Sequence, residues 1–381
     1  MAAEHQTIKL KPLQQIRDHL LNVFIGREAE ISAVLTALVA GEPCILVGEP
    51  GTGKTALVER LARLINGRYF YYLLSRFTEP DELLGPLDVA ALRAGQYRRI
   101  TAGRLPEANI AFLDEVFKAS TAIRNVLLDI ILNKRFLNGT GYQVIPLLTL
   151  YTASNEVSHD AEDAAFYDRL TIRQFVKPIE ESEWGDLLVR GVELSTNNNS
   201  VPLADAEYVL TLQEEAKRRA QVIVRDEGVR NKIVQCLSEL KNRGIVLSDR
   251  RKVKLVFVIA AASIVSSEAT PTLASIMDAV WLVAPRTEDD EGKIADALRS
   301  VFGDDADIPN VLMTLEAEVR NALKTAKQTG KIEDAKALRK VLATVQQKMK
   351  DLPPRARYAR YYRTLQSAVN EANAFLKEIS G

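Results

Sequence analysis

The sequence predicts an α/β fold with a mostly parallel sheet over residues 1–176, followed by helical units at 177–285 and 286–381. Three observations carry this. Strand-like apolar runs alternate with helix-like segments as far as Val176. The run Gly48-Glu49-Pro50-Gly51-Thr52-Gly53-Lys54-Thr55 fits G-x-x-x-x-G-K-[ST], a loop that joins a strand to a helix. From Lys177 onward the apolar residues keep helical spacing.

The strands are expected at Cys44–Val47, Tyr69–Leu74, Ile110–Leu113, Leu147–Thr152 and Ile172–Val176. Ala56, Leu57, Val58, Leu61, Ala62 and Leu64 follow the glycine-rich run at helical spacing, and Asn66-Gly67 supplies the stop. Two hairpins interrupt the alternation. Val89–Arg93 and Tyr97–Thr101 flank Ala94-Gly95-Gln96, and Arg135–Leu137 and Tyr142–Ile145 flank Asn138-Gly139-Thr140-Gly141. Pro178 marks the start of the helical region, where helices are expected at Glu183–Gly191, Leu203–Gln221, Asp226–Asn242, Asp249–Ser267 and Leu273–Val283. A polar loop at Ser195–Ser200 separates the first two. From about residue 308 one long helix should run to Leu352-Pro353-Pro354, with a second helix after it.

Composition bounds the function. Lys plus Arg and Asp plus Glu number 50 each in 381 residues, so net charge points to no polyanionic partner. The charge is uneven: Thr287–Ile308 holds eight acids against two bases, and Lys331–Gly381 eleven bases against five acids. Cys44 and Cys236 lie far apart in apolar surroundings and read as small core residues, which favours a reducing compartment. The N-terminus has no apolar signal core, and the longest apolar run, Leu255–Val265, is too short to span a bilayer. These features together suit the cytoplasm.

The glycine-rich run sits where it can hold phosphates. Backbone N–H groups from Gly48 to Ala56, Pro50 excepted, and the positive end of the following helix suit the phosphates of ATP or GTP. Lys54 would reach the β- and γ-phosphates, and Thr55 would offer its hydroxyl to Mg²⁺. Sixty residues after Lys54, the apolar strand Ile110–Leu113 ends in Asp114-Glu115. Asp114 suits the Mg²⁺ shell, and Glu115 suits the orientation of an attacking water. Asn155, at the end of the next strand, could hydrogen-bond the γ-phosphate or that water.

The segments FLDEVFKAS, FLNGTG, TASNE, YDRLTIR and SDRR follow GEPGTGKT in this order. Together they resemble the MoxR family of AAA+ ATPases, especially its RavA branch, over roughly residues 10–285. The resemblance implies an AAA+ αβα nucleotide-binding domain at 1–176, an all-α lid domain at 177–285 and an α-helical C-terminal extension at 286–381. It matches Arg169 to the arginine finger that enters the next subunit's site, with Arg173 as rival. It matches Arg250 to the second sensor, with Arg251 as rival, and Ile25 and Gly26 of Phe24-Ile25-Gly26-Arg27 to the adenine pocket. Phosphoryl transfer needs charge neutralisation beyond one Lys and one Mg²⁺, so such arginines are chemically reasonable. Arg250 begins a buried helical run and, touching the γ-phosphate, would draw the helical domain over the site.

By the same resemblance the chain would be a Mg²⁺-dependent ATPase forming a homo-oligomer, a hexamer, that remodels or matures a protein partner carrying a von Willebrand factor A domain. Two alternatives stand beside this. One is a nucleic-acid motor, suggested by Tyr97, Arg98 and Arg99 on the first hairpin and opposed by the zero net charge. The other is a slow nucleotide-switched scaffold. Residues 347–363 hold six bases, one acid and Tyr358, Tyr361 and Tyr362. They can pack between helices, dock a subunit or partner through the acidic stretch at 288–307, or grip a nucleic-acid strand.

Overall fold

The computed structural model describes residues 10–158, 160–196, 200–351 and 356–379. The chain divides into two compact units, Met1–Ala297 and Leu298–Gly381. The first unit is organised by seven strands: β1 Cys44–Gly48, β2 Tyr69–Leu73, β3 Ile110–Asp114, β4 Arg135–Asn138, β5 Gly141–Val144, β6 Thr149–Ser154 and β7 Ile172–Val176. Five of them form one parallel sheet in the order β2-β3-β6-β1-β7. Helices cover both faces of its middle strands, so β6 is buried along its whole length, and the hydroxyls of Thr149 and Thr152 donate to the carbonyls of Glu42 and Cys44. The register pairs Ile110 with Thr149 and Cys44 with Tyr151, which starts β6 two residues later than the sequence suggests. Leu147 and Leu148 are buried in the approach to it.

β4 and β5 form the second expected hairpin, with Gly139 at φ 74° in the turn. The first expected hairpin is not formed. Val89–Arg93 is a short helix, because the Asp88 carboxylate accepts hydrogen bonds from the backbone N–H groups of Ala90 (3.0 Å) and Ala91 (3.1 Å). What remains of strand pairing is an isolated Leu87–Arg99 bridge. Arg98 and Arg99, which suggested a nucleic-acid surface, pair with Asp88 and Asp81.

The helical part of the first unit contains Trp184–Thr196, Ala206–Arg225, Glu227–Asn242, Asp249–Val265 and Leu273–Val283. The helix Trp184–Thr196 runs into the expected polar loop, whose Asn197–Asn199 lie outside the described residues. The acidic stretch is partly helical, over Asp290–Phe302, and Lys177 pairs with Glu288 (2.8 Å) and Glu291 (3.4 Å).

The second unit packs Ile308–Thr329, Ile332–Asp351 and Ala359–Glu378 around one apolar core. The expected single long helix is two, since Gly330 at φ 62° ends the first of them. Tyr358 is buried in this core, and Tyr361 and Tyr362 pack against it. The tyrosines of the basic segment therefore serve helix packing, while Leu352–Arg355 lies outside the described residues. Among the described residues no helix is long and apolar enough to cross a membrane.

Candidate nucleotide site

The sheet order brings three strand ends side by side. β3 ends in Asp114, β6 in Ser154 just before Asn155, and β1 opens into the glycine-rich loop. Gly48 must be glycine, because a Cβ there would stand 2.2 Å from the Val176 carbonyl oxygen of β7. Gly51 and Gly53 adopt φ 78° and 84°, turning the loop into the helix Lys54–Leu64. That helix has no side-chain cap, so its first N–H groups point to the loop's concave side. Thr52 Oγ1 donates to the Glu49 carbonyl at 2.9 Å and stiffens the turn.

Lys54 is 8 % exposed, and its ammonium donates to the carbonyls of Gly48 (2.7 Å) and Glu49 (2.8 Å). Burial lowers its pKa, and the carboxylates of Asp114 and Glu115 oppose that shift. Asp114 is half-buried, and burial raises its pKa. Glu115 takes the left-handed conformation at φ 55°, a strained choice for a side chain of this size. Its Oε1 accepts from Asn155 Nδ2 at 2.7 Å and lies 3.1 Å from the Lys118 ammonium. Asn155 thus holds the carboxylate of Glu115.

A cavity of about 400 Å³ adjoins the loop. Pro50, Gly51, Thr52, Gly53 and Ala56 form one wall, Phe24, Ile25 and Arg27 a second, and Ile179, Trp184 and Leu187 a third. Gly26 approaches this third wall closely: a Cβ would meet Glu183 Oε2 at 2.9 Å and Ile179 Cδ1 at 3.0 Å. Arg27 donates to the Lys177 carbonyl at 2.6 Å, fastening the second wall to the start of the helical region. The sequence reading missed Trp184 and Leu187. A signal for them lies in the helix Trp184–Thr196 itself, which is rich in apolar residues although none is buried.

The four arginines separate into two kinds. Arg173 is 2 % exposed and donates to the carbonyls of Leu170 (3.2 Å), Pro285 (2.9 Å) and Tyr167 (2.7 Å), with its guanidinium 3.7 Å from the Tyr167 ring centre. Burial pushes its pKa down to about 10. Arg251 is also buried and donates to the Val283 carbonyl. Burial and the nearby Arg173 lower its pKa. Arg251 thus satisfies the last carbonyl of the helix Leu273–Val283, and Arg173 one just beyond it. Arg169 and Arg250 differ: Arg169 ends the helix Ala161–Arg169 half-buried, and Arg250 is exposed. Arg250 Nη1 stands 3.9 Å from Asp168 Oδ2, and the same oxygen accepts from Ser248 Oγ at 2.9 Å. No residue of the helix Asp249–Val265 lines the cavity at the loop.

A glycine-rich phosphate loop, a strand ending in Asp-Glu and a polar residue ending the next strand, on a parallel sheet followed by helices, define a P-loop nucleotide-binding protein of the AAA+ class. A family model described as the MoxR domain in the MoxR-vWA-beta-propeller ternary systems matches residues 11–214. The chain belongs to the MoxR family of AAA+ ATPases. Two uncharacterized proteins of Methanocaldococcus jannaschii are similar to it. One is 38% identical over 64% of this chain and 64% of its own length, the other 37% identical over 65% and 63%. The chain thus spans just under two thirds of these relatives. A solved structure from Cytophaga hutchinsonii, provisionally described as an ATPase, shares the fold with a TM-score of 0.63. It is 17% identical, over 77% of this chain and 94% of that one.

Proposed function

We propose that the protein is a Mg²⁺-dependent ATPase that works as a ring, with each site completed by arginines of the neighbouring subunit. The observation that carries this is the convergence of Lys54, Asp114, Glu115 and Asn155 at neighbouring strand ends of one parallel sheet. Lys54 and the loop N–H groups bind phosphate, and the apolar side chains of Phe24, Ile25, Trp184 and Leu187 flank the flat faces of the base. The Thr55 hydroxyl and the Asp114 carboxylate are hard oxygen donors of the kind Mg²⁺ takes together with phosphates, and they would hold it. The ion would supply charge neutralisation on the phosphate oxygens. Asp114 is kept beside Lys54 in a half-buried place where its charge needs a cation. Glu115, aimed by Asn155, accepts a proton from water as the water attacks phosphorus.

Arg169 supplies the charge that the chain's own loop lacks, and Arg250 acts from the same side. Its proximity to Asp168, one residue from Arg169, supports this reading over contact with its own subunit's nucleotide. The family's association with von Willebrand factor A proteins supports a partner of that kind, and remodelling or maturation of that partner as the work done. A RavA-type hexamer in the cytoplasm, with an αβα domain to residue 176, a lid to 285 and a helical extension beyond, completes the reading. Lys54→Ala should abolish nucleotide binding by calorimetric titration, because the phosphate charge then faces carboxylates unopposed. Unchanged affinity in that variant would refute the site.

A further inference from the structure

A second concave surface lies away from the phosphate loop, between the helices Ala206–Arg225, Glu227–Asn242 and Asp249–Val265. It encloses about 570 Å³. Its floor is buried Ala220 and Ile233, and its walls are aliphatic and exposed: Val224, Val234 at 53% and Val253 at 59%. Three cations, Lys217, Arg230 and Lys252, stand among the lining residues, and no carboxylate does. Lys217 and Lys252 pair with Glu214 and Asp249, but both acids lie outside the groove, and the Asp249 side chain is 98% exposed. Such pairs are weak and readily exchanged for better partners.

We propose that this groove binds an acidic amphipathic helix of a partner protein. A trough between helices fits an apolar helical stripe at i, i+3, i+4 and i+7. Cations beside an aliphatic floor select Asp and Glu on the flanks of that stripe. The concave shape disfavours a bilayer surface, which an exposed convex face would suit better. The lining has one aromatic residue, Phe257, so it offers no stacking series for a nucleic-acid strand. The chain's own acidic helix, Asp290–Phe302, cannot serve from a second copy. Its Ile294, Ala297 and Leu298 are already buried, and Glu291 is paired with Lys177.

The test uses the full chain and a fluorescein-labelled peptide of roughly 18 residues, long enough to form a helix on binding. It carries Leu at i, i+3, i+4 and i+7 and Glu elsewhere, and a comparator carries Lys in place of Glu. Fluorescence anisotropy should show saturable binding of the Glu peptide, weakening with added salt, and about tenfold or weaker binding of the Lys peptide. Val234→Asp should abolish binding while leaving the thermal unfolding midpoint unchanged, since the side chain is half exposed. Arg230→Glu with Lys252→Glu should reverse the preference between the peptides, a result that loss of folding could not produce. Equal affinity for both peptides, or retained binding in Val234→Asp, would overturn the proposal. So would a change of sedimentation behaviour in Val234→Asp with no peptide bound by the parent, which would assign the groove to a second copy.

Discussion

Replacing Arg169 by Ala is expected to leave ATP binding intact and to slow hydrolysis by about 10³–10⁵-fold, the range measured for arginine fingers. The side chain stands at the end of the helix Ala161–Arg169, and its guanidinium donates to the Ala165 carbonyl of the same helix. One exposed hydrogen bond within a helix is easily given up. Arg173, by contrast, spends its guanidinium on three carbonyls and an aromatic ring, and could not leave without stranding them. Mixing Arg169→Ala with Lys54→Ala should restore activity, because the first keeps a working phosphate loop and the second keeps a working finger. Mixing Arg169→Ala with Arg250→Ala gives a sharper result. If Arg250 acts in the neighbouring site beside Arg169, every interface in the mixture lacks one arginine and activity stays low. If Arg250 serves its own subunit's nucleotide, mixed interfaces recover. Hydrolysis per chain that is unchanged on dilution to the monomer would remove the need for a neighbour altogether.

The parts of this site legible in the sequence are those whose chemistry is local. A phosphate loop announces itself because strand, glycines, Lys and Thr must be contiguous, and Asp114-Glu115 because an apolar strand must end where the ligand begins. The Asn138-Gly139 turn belongs to the same category. Relations between distant segments were harder to read. Nothing in SDRR tells which arginine is buried. That depends on the Val283 carbonyl, 32 residues beyond Arg251, needing a donor. Asp88 overturned the first hairpin through two local hydrogen bonds that favour a helical turn over strand pairing. Trp184 and Leu187 line the cavity at the loop because their apolar helix remains unburied beside it, and helical spacing alone does not tell a lining helix from a core one.

Replacing Glu115 by Gln should keep nucleotide affinity near the parent's and lower turnover by about 10²–10⁴-fold, the usual contribution of a general base. Gln is chosen because its amide oxygen can still accept from Asn155 Nδ2, so the 2.7 Å contact and the strained backbone at φ 55° need not change. What is lost is the ability to take a proton. Asn155→Ala removes the positioning and leaves the base. Glu115 would then follow Lys118, whose ammonium stands 3.1 Å from the same oxygen. The variant should lose turnover by a smaller factor than Glu115→Gln, with affinity again retained. Single-turnover hydrolysis with pre-bound ATP measures both, and titration with a fluorescent ATP analogue measures affinity separately. Equal loss of affinity in Glu115→Gln and Lys54→Ala would mean that Glu115 binds nucleotide and that the attacking water is activated by another group.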